Sequence, residues 1–76
     1  MHYTVKAHIY AGEKSGYMAE CVEFPVVTQG QTLDETVQNL REALALHLED
    51  EDLLALGFAS KQPPLVVNYE MESVCA

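Results

Sequence analysis

Carboxylates dominate the reactive side chains of this sequence, with twelve Asp and Glu against four Lys and Arg, three His and two Cys. Two-metal phosphodiester cleavage would need several carboxylates converging, typically with one in the middle of the first strand. The first strand-like stretch, residues 2–10, has none. Glu20, Glu23, Glu35 and the run Glu49, Asp50, Glu51, Asp52 fall on different elements or on solvated ends. His47 and Asp50 are three residues apart and could share a metal on a helix, but a His among acids at an exposed helix end is more commonly solvated surface. His2, His8 and His47 lack a nucleophile partner, because Ser15, Ser60 and Ser73 lie in loops or the tail without an elbow motif. Gly12 and Gly16 form no phosphate loop, since no Lys-Ser or Lys-Thr follows and no helix starts there. Cys21 and Cys75 lie far apart, outside any C-x-x-C spacing; Cys21 is expected as a small strand residue and Cys75 as a terminal thiol. No catalytic residue, metal site or cofactor site is expected.

The elements that must position these side chains are legible from periodicity. The strongest is the helix of residues 32–48. Thr32 and Glu35 form a capping box, in which the hydroxyl accepts from the Glu35 amide and the carboxylate reaches back to the Thr32 amide. Asp34 and Glu35 suit the positive end of the helix dipole. Leu33, Val37, Leu40, Leu44 and Leu48 recur at three- and four-residue spacing and predict one apolar stripe. Gly30 is expected to let the chain turn sharply into the cap.

Residues 2–10 alternate as a half-buried strand, with Tyr3, Val5, Ala7 and Ile9 on one face and His2, Thr4, Lys6, His8 and Tyr10 on the other. Residues 11–16 read as a hairpin loop, and 17–22 as the return strand. Its alternation leaves open whether Tyr17, Ala19 and Cys21 or Met18 and Val22 face the core. Pro25 cannot donate to a ladder, so 23–25 is placed at a turn and 26–29 forms a short third strand. The acid run 49–52 would oppose the negative end of a continuing helix. The first helix is therefore expected to end there and a short second one to follow, capped by Asp50 or Asp52 and stopped by Gly57. After the prolines 63 and 64, residues 65–72 alternate as a fourth strand, with Leu65, Val67, Tyr69 and Met71 inward.

Strand, strand, strand, helix, strand implies a single α+β domain over residues 1–76, a β-β-β-α-β unit. The expected sheet is four-stranded and mixed, in the order 3-2-1-4, with the helix on one face. At 76 residues such a domain buries only ~60% of the surface of its unfolded chain. Self-association, a dimer first, is expected, and Leu46 adds to this by lying off the stripe. The formal net charge of -8, without a basic run, disfavours phosphate backbones as direct partners and suits a basic protein surface. The apolar clusters are too short to span a bilayer, so a cytoplasmic protein is the default.

The runs 16–25, 27–35 and 39–44 together resemble the HicB-like antitoxin family. They follow its pattern of a Gly16-Tyr17 hairpin strand, a proline turn at Phe24-Pro25, a Gly30-x-Thr32-x-x-Glu35 helix start and an amphipathic helix. The family's glycine after proline is Val26 here, and the chain stops at Ala76 without the helix-turn-helix or ribbon-helix-helix segment that many members append. The resemblance implies a degenerate ribonuclease H-like fold without nuclease activity, and neutralisation of a small basic HicA-like toxin that cleaves messenger RNA. Direct nucleic-acid binding is expected to be absent. Tyr10 and Tyr17 beside the hairpin, Glu20 and Glu23 around the second strand, and Glu49, Asp50, Glu51 and Asp52 past the helix are the candidate partner-binding residues. A stand-alone oligomeric domain with another protein or ligand partner is the alternative, ahead of a metal-dependent nuclease.

Overall fold

The chain runs β1 (Val5–Ala11), β2 (Tyr17–Cys21), β3 (Val27–Gly30), α1 (Leu33–His47) and β4 (Leu65–Tyr69) in a computed structural model that describes residues 1–71. β1 pairs antiparallel with β2, and β2 with β3, while β4 returns parallel to β1. The resulting order, β3-β2-β1-β4, is the one that the strand pattern predicts. Short connections keep the first three strands antiparallel, and the longer path through α1 permits the parallel return. The core is built from Val5, Ala7, Ile9, Ala19, Cys21, Val26, Leu40, Leu44 and Phe58. Pairing of Ala7 with Cys21 and of Ile9 with Ala19 settles the second strand: Tyr17, Ala19 and Cys21 face the helix. Among the described residues no helix is long and apolar enough to cross a membrane.

The capping box forms with one shift. The Glu35 amide donates to Thr32 Oγ1 at 3.1 Å, but the Glu35 carboxylate accepts from the Gln31 amide at 3.0 Å, one residue earlier than expected. Burial of the helix is also rotated. Thr36, Leu40 and Leu44 are the buried side chains, whereas Leu33 is exposed and Val37 and Leu48 are half-buried. At about 100° per residue this turns the buried axis roughly 40° from the apolar stripe, toward Thr36.

The cause is a close approach to β3. A Cβ on Gly30 would stand 2.6 Å from Thr36 Oγ1 and 2.7 Å from Thr36 N, so the strand and the first helical turn touch where only glycine fits. Gly30 has no positive φ; it supplies room rather than a sharp turn. The buried Thr36 hydroxyl is satisfied by donating to the Thr32 carbonyl at 2.7 Å, as a buried polar group must be.

Held there, the α1 backbone runs beside β3 and β2 and stays clear of β4. Tyr69 and Met71, expected inward, are 41% and 78% exposed for that reason, and Tyr3 lies outside β1 and is exposed as well. Residues 52–57 form one capped turn instead of a second helix. Asp52 Oδ1 accepts from the Leu54 and Ala55 amides, the Phe58 amide donates to the Leu53 carbonyl at 3.0 Å, and Gly57 takes φ +95°. This places Phe58 in the core, bridged to His2 in parallel and stacked on Phe24 with centroids 5.8 Å apart. The Val26 amide donates to the Phe24 carbonyl at 2.8 Å, an inverse γ-turn about Pro25 that the fixed proline φ suits. No positive φ is required at Val26, so no glycine is needed there. The expectations for Glu72, Ser73 and Cys75 fall outside the described residues.

Two substitutions test this packing by denaturant unfolding. Leu40→Ala should cost ~2–5 kcal/mol as a buried truncation, and a loss under half a kcal/mol would remove Leu40 from the core. Gly30→Ala should cost about 1–3 kcal/mol, because its Cβ meets backbone atoms that cannot swing aside; a neutral result would show that the approach to Thr36 is not tight.

Candidate partner-binding surface

The sheet face opposite α1 is uncovered, and strand register determines which side chains reach it. Lys6, His8 and Tyr10 of β1 share it with Met18 and Glu20 of β2, Val27 and Gln29 of β3, and Val66 and Asn68 of β4. Val22 joins them, since its amide donates to the Lys6 carbonyl at 2.8 Å, one step beyond the β1–β2 ladder.

Each polar side chain that β1 presents here meets a carboxylate. Lys6 Nζ lies 3.8 Å from Glu23 Oε2, His8 Nδ1 lies 4.0 Å from Glu70 Oε1, and Tyr10 OH donates to Glu20 Oε2 at 3.4 Å. Around this polar centre stand three valines, Val22, Val27 and Val66, at 54%, 57% and 40% exposure. Exposed valines around a polar middle give this face both apolar area and directional polar groups. β3 and β4 are its edge strands.

The residues nominated from sequence are dispersed. Tyr10 and Glu20 meet on the open face. Tyr17 is on the other face, where its ring stands edge-on to Tyr69 at 5.9 Å. Glu23 turns inward: its carboxylate accepts from the Lys6 amide at 2.8 Å, and its side chain is only 10% exposed. That is a structural role, tying the turn after β2 to the start of β1. Glu49, Asp50, Glu51 and Asp52 are all exposed past the end of α1, with Asp52 occupied in capping its turn. His47, paired with Asp50 in the metal reading, packs its ring on Phe24 at 5.8 Å. Among the described residues no three His, Cys, Asp or Glu gather as a metal site would require, and Cys21 is buried within the sheet.

Sequence reasoning missed the valines and Glu70. Val22, Val27 and Val66 are apolar residues at positions out of phase with the core set, and the signal that marks them is visible only once the register of all four strands is known.

The chain matches no protein-family model, no curated protein and no solved structure.

The division between structural and free acids is measurable. Glu23→Ala should cost about 1 kcal/mol or more in unfolding free energy, because it removes the acceptor of the Lys6 amide. Reversal of Glu49 and Asp50 to Lys should leave monomer stability within about half a kcal/mol. Equal effects would contradict the division.

Proposed function

We propose that this chain is a non-catalytic binding protein, an antitoxin of the HicA/HicB kind, that covers the RNA-binding surface of a small basic RNA-cleaving toxin in the cytoplasm. The observation that carries the reading is the uncovered sheet face, on which the Glu20 and Glu70 carboxylates stand among exposed valines. A toxin that grips RNA must present cations where phosphates sit. Carboxylates on this face compete for the same cations, and the valines exclude water from the contact. Tyr10, half-buried beside Glu20, is the aromatic anchor.

The acids 49–52 lie past the helix, off this face, and contribute to the field that steers the encounter rather than to the contact. A net charge of -8 makes that field strongly negative and sets the chain against direct nucleic-acid binding. Strand 1 offers no carboxylate for metal-dependent cleavage, since its open-face residues are Lys6, His8 and Tyr10. The supporting features are therefore those of a surface that binds, and the resemblance in sequence supplies the kind of partner.

RNA cleavage by a small basic toxin encoded beside this chain, titrated with the chain, is the test. Cleavage should stop near equimolar ratio, and Glu20→Lys combined with Glu70→Lys should weaken inhibition at least about tenfold. Continued cleavage at molar excess of the unaltered chain would overturn the antitoxin reading.

A further inference from the structure

The helix side of the sheet holds a second unfilled surface. Because α1 is drawn toward β3, the β4 side of its apolar stripe is only partly covered, with Val37 and Leu48 half-buried. Val37, Leu44 and Leu48 of α1 look across to Leu65 and Val67 of β4, and the groove between them measures about 730 Å³. Arg41 and Lys61 stand at its rim. They are two of only four cations in the chain. Among the described residues neither side chain has a hydrogen bond or an ion pair, whereas Lys6 is matched with Glu23.

We infer that this groove is closed by a second copy of the chain, the two α1 helices packing antiparallel about a two-fold axis near Ala45. Three features of one helix make it self-complementary. Ala45 is exposed and lines the groove; its methyl group lets two helix axes approach closely, since the separation is set by the side chains at the crossing. Arg41 lies four residues before Ala45, roughly 6 Å along the axis at the α-helical rise, and Glu49 follows directly after the Leu48 cap at the end of α1. Antiparallel packing about Ala45 thus sets Arg41 of each copy against the start of the acid run of the other.

A two-fold contact demands that one patch carry both halves of every interaction, and cation, small residue and acid occur here in that order. The apolar lining of the groove, Leu65 and Val67 of β4 included, is then shielded from water. The open sheet face is on the opposite side of the domain, so dimerisation leaves it free for a protein partner. The dimer does not depend on the antitoxin reading and is measured on the chain by itself.

Sedimentation equilibrium of the full chain on the order of tens of micromolar should show twice the 8.4 kDa chain mass. Ala45→Arg should give monomer with unchanged far-ultraviolet circular dichroism. Arg41→Glu should weaken the dimer at least about tenfold, and adding Glu49→Arg and Asp50→Arg to it should restore association, because the swapped charges face each other again. Restoration by the swap supports the interface even if the Ala45 variant fails to fold. An 8.4 kDa species alone at that concentration, or a dimer indifferent to both Ala45→Arg and Arg41→Glu, would overturn it; the indifferent dimer would place association on the open face or a strand edge.

Discussion

The contact between Gly30 and Thr36 determines where everything else lies. Only Gln31 and Thr32 separate the end of β3 from the start of α1, so the helix is tethered to an edge strand and must pack from that edge inward. Backbone-to-backbone contact at Gly30 pulls the first turn against β3 and makes Thr36, not Leu33, the buried residue there. One helix cannot cover four twisted strands when it is anchored at one side. The α1 backbone runs beside β3 and β2 and does not reach β4.

The other end of the core is closed by aromatic rings from distant parts of the chain. Phe58 is held by the capped turn before it and by its bridge to His2, and it stacks on Phe24, which in turn meets His47 from the end of α1. Contacts of this kind matter more in a small domain, where few side chains are fully buried. Ile9, Leu40 and Thr36 are the largest that are. A core of this size has little reserve, and burying the groove beside β4 would extend it.

Charge is distributed by the same architecture. On the open face, β1 presents a cation, an imidazole and a phenol, each beside an acid from a neighbouring turn or strand; only Lys6 brings a full positive charge against the three carboxylates, so the middle of the face stays negative. Four acids, Glu49 to Asp52, gather past the end of α1, while Arg41 and Lys61 stand at the rim of the groove next to it. The domain therefore has two chemically different surfaces on opposite sides: a valine-rimmed sheet face on which Glu20 and Glu70 meet only a phenol and an imidazole, and a helix groove with Arg41 and Lys61 at its rim.

What the sequence determined follows from local physics. Thr32 to Glu35 names a helix start because a cap is satisfied within four residues; alternation names β1 and β4 because side chains on a strand alternate by geometry; strand count and connection lengths then leave 3-2-1-4 as the simplest sheet. Gly57 and Asp52 likewise mark their turn, although its length is too short for a helix. Tertiary structure decided what depends on a second element. The rotation of α1 toward Thr36 requires knowing that Gly30 abuts it, and the turning of Tyr17, Ala19 and Cys21 rather than Met18 toward the helix requires the pairing of β2 with β1. Glu23 reads as one more surface acid until the fold brings the Lys6 amide to it, and nothing in the local sequence marks Phe58 for the core that His2 and Phe24 help enclose. The candidate surfaces were the least legible part, because each is a coincidence of residues far apart in sequence, and a side chain's exposure is decided by the element packed against it rather than by its own neighbours.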